Sequence, residues 1–184
     1  MFGQQNEPVT LKRDLDATTV PAGISERLTR NSLVYITQAM GGSFTIYFEG
    51  NLYRVPGKDA DALGKEPAAA PTLDPGATDE DFRELVWEQM RTVYDPEIPI
   101  NIVELGLVYD CRIDKNPATG HRIIDVTMTV TAPGCGMGEI LLEDVKERIR
   151  QLPTVESVSV ELVFDPPWNQ SMMSEAAKLE AGLL

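Results

Sequence analysis

The stretch "RIIDVTMTVTAPGCGMGEILLEDVKERIRQLPTVESVSVELVF" (122–164) decides how this chain folds. Ile124, Val126, Met128 and Val130 alternate with more polar neighbours, the period of a half-buried strand. From about Met137 the spacing changes: Leu141, Val145, Ile149 and Leu152 recur as the apolar stripe of a helix. Alternation then returns in 154–164, with Val158, Val160, Leu162 and Phe164 expected to face inward. A strand, a helix and a second strand in this order predict a right-handed crossover between parallel neighbours. Cys135 sits where the first strand gives way to the helix, between Gly134 and Gly136.

Upstream, "TDEDFRELVWEQMRTV" (78–93) opens with Thr78 and Asp81 in capping-box spacing and places Phe82, Leu85, Val86, Met90 and Val93 on one helical face. The irregular "YDPEIPINIVELG" (94–106) follows, then "LVYDCRID" (107–114), in which Leu107, Tyr109, Cys111 and Ile113 share a face. The turn-rich "KNPATG" (115–120) joins that strand to the next as an antiparallel pair. After "DPPWNQ", a last helix is expected over "SMMSEAAKLEAGLL" (171–184). The fold class is therefore α/β (α+β): a small two-layer domain of helix–strand–strand–helix–strand–helix order with a mixed three-stranded sheet.

The proline- and alanine-rich segment 64–77 reads as an extended linker. It separates a β-rich N-terminal module, 1–63, from the α/β domain, 78–184. In the module, "SLVYITQ" (32–38) and "SFTIYFE" (43–49) read as strands, and Gly50-Asn51 as a hairpin turn returning through "LYRV" (52–55). Three or four strands are expected there.

Charge is unevenly spread. Residues 1–72 carry 7 Lys/Arg against 8 Asp/Glu, a net −1, and residues 73–184 carry 9 against 21, a net −12. A domain this acidic repels phosphate backbones, which argues against nucleic-acid binding. There is no long apolar run of membrane-spanning length, and the N-terminus lacks the regions of a signal peptide, so a cytoplasmic protein is expected. Its 2 cysteines form no disulfide framework there.

Strand directions bring three irregular segments, 95–106, 131–137 and 165–170, to one rim of the sheet, the carboxyl edge at which α/β folds bind ligands. Cys135 is the centre of this expected site, with Asp95, Glu97, Thr131, Gly134, Gly136, Asp165 and Trp168 around it. A helix N-terminus lowers the pKa of a nearby thiol, and flanking glycines open space for a metal, a cluster or a partner backbone. From these residues alone Cys135 is a nucleophile, a metal or cluster ligand, or a small residue filling a tight turn. Cys111, on an apolar strand face, reads as a buried, inert thiol. His121, the 1 histidine, lies at the far end of its strand, roughly 30 Å from Cys135 at about 3.3 Å per residue, which removes an in-chain Cys–His dyad.

Three segments carry a resemblance: "DPEIPINIVELGLVYD" (95–110), "VTMTVTAPGC" (126–135) and "LVFDPPWNQSMMSEAAKLEAGL" (162–183). They resemble the small α/β domain shared by SufT-type iron–sulfur assembly proteins, the PaaD subunit of phenylacetate degradation and eukaryotic cytosolic iron–sulfur targeting factors. The N-terminal "LVYITQAMGGSFTIYFEGNLYRV" (33–55) resembles the extra region of SufT-type members. The resemblance implies a non-enzymatic accessory factor in iron–sulfur protein maturation. It maps the family's reactive cysteine onto Cys135 and its DPE segment onto Asp95, Pro96 and Glu97. Many members carry proline directly after that cysteine where this chain has Gly136, a difference that bears on the turn's rigidity and not on the thiol. The implied partners are assembly proteins and client apoproteins, and the implied cargo is a transient iron–sulfur cluster or iron. One thiolate cannot complete a cluster's usual four, so a second protomer, glutathione-like thiols or a client's cysteines must supply others, which makes a homodimer compatible with the sequence. Two alternatives stand beside this reading: a non-ligating adaptor of the assembly machinery, and a thiol-dependent enzyme.

Overall fold

Alternation in the N-terminal half is strongest where apolar residues face each other in pairs, and the strands form there. The computed structural model describes residues 6–134 and 136–183, and the chain divides into two compact units, 1–69 and 70–184. The first unit is one antiparallel sheet of six strands: β1 (Glu7–Thr10), β2 (Leu15–Val20), β3 (Ser25–Leu28), β4 (Leu33–Met40), β5 (Ser43–Phe48) and β6 (Asn51–Val55). Their order across the sheet is β1-β4-β5-β6-β2-β3. Three or four strands were expected. β1, β2 and β3 escape the reading because they are short and polar, although Leu15, Ala17 and Thr19 do alternate into the core.

The β5–β6 turn is Glu49-Gly50, one residue earlier than expected. Glu49 (φ 45°) and Gly50 (φ 91°) are both left-handed, as a type I′ hairpin requires, and Phe48 pairs with Asn51 across them. Leu11, Leu15, Val34, Ile46 and Val55 are fully or almost fully buried, and a 3-10 turn at Gly57–Leu63 adds Ala62 and Leu63 to the same core. Arg13 fastens that turn, donating to Asp59 at 2.8 Å and to both oxygens of Asp61 at 2.7 Å.

The second unit has the expected order. Helix α1 (Asp79–Met90) starts at a capping box: the Asp81 N–H donates to the Thr78 hydroxyl, and Asp81 accepts from the Thr78 N–H. Strands β7 (Val108–Lys115) and β8 (Arg122–Met128) pair antiparallel, and β8 pairs parallel with β9 (Val155–Leu162) through helix α2 (Gly138–Arg150). The core lies between the sheet and the helices: Phe82, Val86 and Met90 of α1, Ile124, Val126 and Met128 of β8, and Leu141, Val145 and Ile149 of α2. Arg122 also points inward. It is 8% exposed, stacks 4.0 Å above the Phe82 ring, and bonds Asp79 at 3.0 Å and Thr154 at 2.6 Å, so its charge is neutralised where it is buried. Among the described residues no helix is long and apolar enough to cross a membrane.

Local departures from the expected pattern have physical causes. A bulge between Val108 and Asp110 adds Tyr109 as an extra residue on β7, so Val108 packs on the core while Tyr109 donates its hydroxyl to the Pro166 carbonyl at 2.7 Å. Phe164 was expected inward. It lies beyond the end of β9 and is 51% exposed, because the alternation stops with the ladder at Leu162. The last helix is also shorter than expected. Residues Gln170–Met172 form a 3-10 turn, and α3 (Glu175–Glu180) begins only after Ser174 caps it by accepting from the Ala177 N–H. Met173 and Ala177 seal that end of the core.

This C-terminal segment passes over Gly106. A Cβ there would sit 2.2 Å from the Met172 carbonyl oxygen, and Gly106 has a φ of +72°. Gly106→Ala is expected to destabilise the protein by about 2–4 kcal/mol, from the left-handed backbone cost and the overpacking together. Chemical denaturation measures it; a change within half a kcal/mol of zero, on the order of a neutral surface substitution, would show that the segment yields freely.

Candidate functional site

The irregular segment before β7 is built by two short polar side chains. Asp95 Oδ1 accepts from the N–H groups of Glu97 and Ile98, both at 2.9 Å. Asn101 Oδ1 accepts from Val103 at 3.1 Å and Glu104 at 2.9 Å. Each is a turn closed by a side chain in place of a carbonyl, the reason Asp and Asn are favoured in such positions. The Asp95 N–H donates to the Ile100 carbonyl at 3.1 Å, closing the loop at its base. Ile100, Ile102 and Leu105 turn down into the core, which holds the loop in place.

Asp95 is only 5% exposed and reaches a second segment: the Thr131 hydroxyl donates to its carboxylate. Asp95, Pro96 and Glu97 therefore share a small recess with Val130, Thr131, Ala132 and the start of α2 at Met137, Gly138 and Leu141. Burial pushes the Asp95 carboxyl above the usual carboxylate range, against the opposing pull of the Ile98 and Glu97 N–H groups and Thr131. Glu97 is exposed at the mouth of the recess.

On the far wall, α2 begins without a side-chain cap; its N-cap residue is Met137, buried at 2% exposure. Met137 offers no side-chain acceptor to the first N–H groups of this helix, an arrangement that favours negative charge nearby. Gly138 lies against Leu162 and Val130; a Cβ there would meet them at 3.4 and 3.6 Å, ordinary packing distances. Gly134 is exposed with a φ of +82°, and nothing lies within 4 Å of a Cβ built on it, so conformation and not space calls for glycine. Gly136 is exposed as well. Cys135 itself lies outside the described residues.

Asp165 and Trp168 do not line this recess. Trp168 donates its indole N–H to the Leu105 carbonyl at 2.7 Å and packs against the core, so it straps the C-terminal segment to the loop after Asn101. Ser174 reinforces the strap: its N–H donates to the Glu104 carbonyl at 2.9 Å and its hydroxyl to the Glu104 carboxylate. Asn101, Glu104 and Ser174 were not singled out in the sequence, which placed Tyr109 only on a strand face with Cys111; the one local signal was Asn101 opening a turn after Pro99. Cys111 is buried, with its thiol pushed up to about 11 by desolvation, and His121 is exposed at the opposite end of β8. Among the described residues no three His, Cys, Asp or Glu side chains converge as a metal site.

Because ionising buried Asp95 is costly, the folded protein holds that proton to higher pH than the unfolded chain does. Stability from this group is therefore present at acid pH and lost as pH rises through the folded value. Asp95→Asn keeps an acceptor for both N–H groups. Its thermal midpoint is expected to match wild type at acid pH and exceed it at mildly alkaline pH; a lower midpoint at alkaline pH would contradict the sign.

With the geometry described, the chain's relatives can be placed. A model of the family described as iron–sulfur cluster assembly protein matches residues 83–162. The chain is similar to a protein of Porphyromonas gingivalis named Fe-S protein maturation auxiliary factor, at 43% identity over 107 residues, covering 58% of this chain and 93% of the relative. It is similar to Fe-S protein maturation auxiliary factor SufT of Staphylococcus aureus, at 38% identity over 91 residues, covering 50% of this chain and 98% of that one. Among solved structures, a domain of unknown function from Bacillus anthracis superposes with a TM-score of 0.50 at 36% identity, covering 57% of this chain and 95% of that one. Half of this chain thus accounts for nearly all of the SufT relative. The recess between Asp95 and the start of α2 belongs to residues that the family model spans, and the chain belongs to the iron–sulfur cluster assembly protein family.

Proposed function

We propose that this protein is an accessory factor in the maturation of iron–sulfur proteins, with Cys135 as the thiolate that meets the cargo. The observation that carries the reading is the recess wall. Gly134 and Gly136, on either side of Cys135, are exposed, and the helix that starts at Gly138 has no side-chain cap. An acidic side chain, Asp95, is held against Thr131 at the same turn by burial and hydrogen bonds. The relatives named as Fe-S protein maturation auxiliary factors support the same role for this chain. Cys111 is a poor alternative ligand: a buried thiol pushed up to about 11 does not ionise near neutrality.

Iron or a cluster is the cargo in this reading, not a resident cofactor. One Cys135 thiolate leaves most of a cluster's ligand positions to other thiols, from a client apoprotein or a second copy of the chain. Incomplete ligation suits a donor that must release what it carries. The adaptor reading loses its aromatic anchor, since Trp168 spends its N–H on the Leu105 carbonyl. The thiol-enzyme reading lacks a histidine base at the turn: His121 lies at the other end of β8.

Anaerobic reconstitution with iron and sulfide tests the assignment. Wild type and Cys111→Ala are expected to develop thiolate-to-iron absorbance, and Cys135→Ala to lose it. Equal iron loading in Cys135→Ala and wild type would sink the ligand role and return Cys135 to a turn residue.

A further inference from the structure

The three-stranded sheet of the second unit has two edges, and they are finished differently. On β7, Asp110, Arg112, Asp114 and Lys115 crowd the edge with charge, and the bulge at Tyr109 breaks its register. Charges and bulges of this kind keep an edge from pairing with another chain. Along 157–162, β9 has neither: its register is regular, it has no proline, and Glu161 is its one charged residue. The irregularity of β9 lies at its start, beside Arg122. The Val163 N–H donates to the Met128 carbonyl at 2.9 Å and so points toward β8. Backbone groups alternate sides along a strand, which turns the N–H and C=O of Val158, Val160 and Leu162 away from β8. Among the described residues, no group outside β8 bonds the backbone of 155–162. The apolar face stops unfinished there too. Val126 and Met128 of β8 are 1% and 0% exposed, while Val160 and Leu162, their partners in register, are only half-buried.

An open edge selects its occupant by backbone chemistry, because an extended polypeptide presents donors and acceptors at the strand's own spacing. Its inward side chains would be apolar, completing the row beyond Val160 and Leu162. Its outward ones would meet carboxylates. Register aligns Glu161 with Thr127 and Asp110, and Ser159 with Asp125 and Arg112. Arg112 is already paired with Asp114 at 3.4 Å and Asp125 at 3.1 Å, which leaves Glu161 without a cation among the described residues. Residues 73–184 carry a net −12, so a strand bearing lysine or arginine is the complementary one. A second copy is the opposite case, since β9 against β9 would bring two such acidic units together. We infer that the free edge of β9 docks an extended, lysine- or arginine-bearing segment of a partner protein, added as a fourth strand. Leu162, near the end of this edge, lies against Gly138, so one end of the added strand reaches the glycine-rich turn. That the segment belongs to a client apoprotein rests on the iron–sulfur reading above; the docking edge does not.

Fluorescence anisotropy of the full-length, iron-free chain tests the edge apart from any cargo. The probe is a fluorescein-labelled peptide of about ten residues that alternates valine with lysine and threonine, in the pattern of a half-buried strand. Wild type and Cys135→Ala are expected to bind it alike at micromolar concentration. Val160→Pro removes an outward N–H while sparing the bonds to β8, and is expected to bind about tenfold more weakly or worse. Glu161→Lys is expected to weaken binding and to prefer the same peptide with glutamate in place of lysine. Circular dichroism checks that the variants fold. Should Val160→Pro unfold, hydrogen exchange of wild type decides: saturating peptide is expected to slow the amides of Val158, Val160 and Leu162 by about tenfold or more and to leave Ser159 and Glu161 unchanged. No binding by wild type at millimolar peptide, full binding by folded Val160→Pro, or unchanged exchange at those three amides overturns the inference. Equal binding of the lysine and glutamate peptides to wild type overturns its charge selection. None of these results bears on the iron assignment, which reconstitution of Cys135→Ala decides.

Discussion

The parallel pairing of β8 with β9 across α2 is the constraint on which the second unit depends. Two strands that run the same way must be joined by a crossover, and the helix that makes it has to lay its apolar stripe on the sheet. Leu141, Val145 and Ile149 do so, buried to 2% exposure or less. Once that stripe is seated, the N-terminus of α2 is pinned at the carboxyl edge of β8. The glycine-rich turn before it has no other place to be.

Around this pinned turn the unit is polar by design of its loops. Asp95 and Asn101 each close a turn with a side-chain oxygen, and Thr131 ties the first of these turns to the segment after β8. A carboxylate at 5% exposure opposes stability unless its hydrogen bonds offset the lost hydration. Three donors do part of this for Asp95, yet burial still raises its pKa. Titratable groups perturbed by burial beside a recess are candidates for functional sites. On the opposite side, Trp168 and Ser174 clamp the C-terminal segment to the Asn101 loop and use the donors that an exposed docking surface would have presented.

The first unit answers to a different rule. A six-stranded sheet with one buried face exposes its other face to whatever surrounds it, and that face carries Tyr35, Tyr47 and Leu52 in register. The chain's acidity is concentrated in the second unit, so the two parts differ in what they can approach.

How much of this was legible in the sequence depends on the length scale of each signal. Periodicity is local, and it sufficed for α1, α2, β8 and β9, for the capping box at Thr78 and Asp81, and for the order of the second unit. It also sufficed to place a helix start after the glycine-rich turn and His121 at the other end of β8. Short polar strands gave too few periods, which is why β1, β2 and β3 went unseen and the hairpin turn fell one residue late. Tyr109, Phe164 and Trp168 depended on contacts distant in sequence: a bulge, the end of a ladder, and a carbonyl 63 residues away. The sequence by itself determined the element order of the second unit and which edge of its sheet the glycine-rich turn before α2 occupies, because helix and strand periods and crossover handedness are properties of neighbouring residues. Only the tertiary structure decided that Asp95 joins Thr131 at a recess while Trp168 turns to Leu105, because hydrogen-bond partners are chosen among groups that packing brings together.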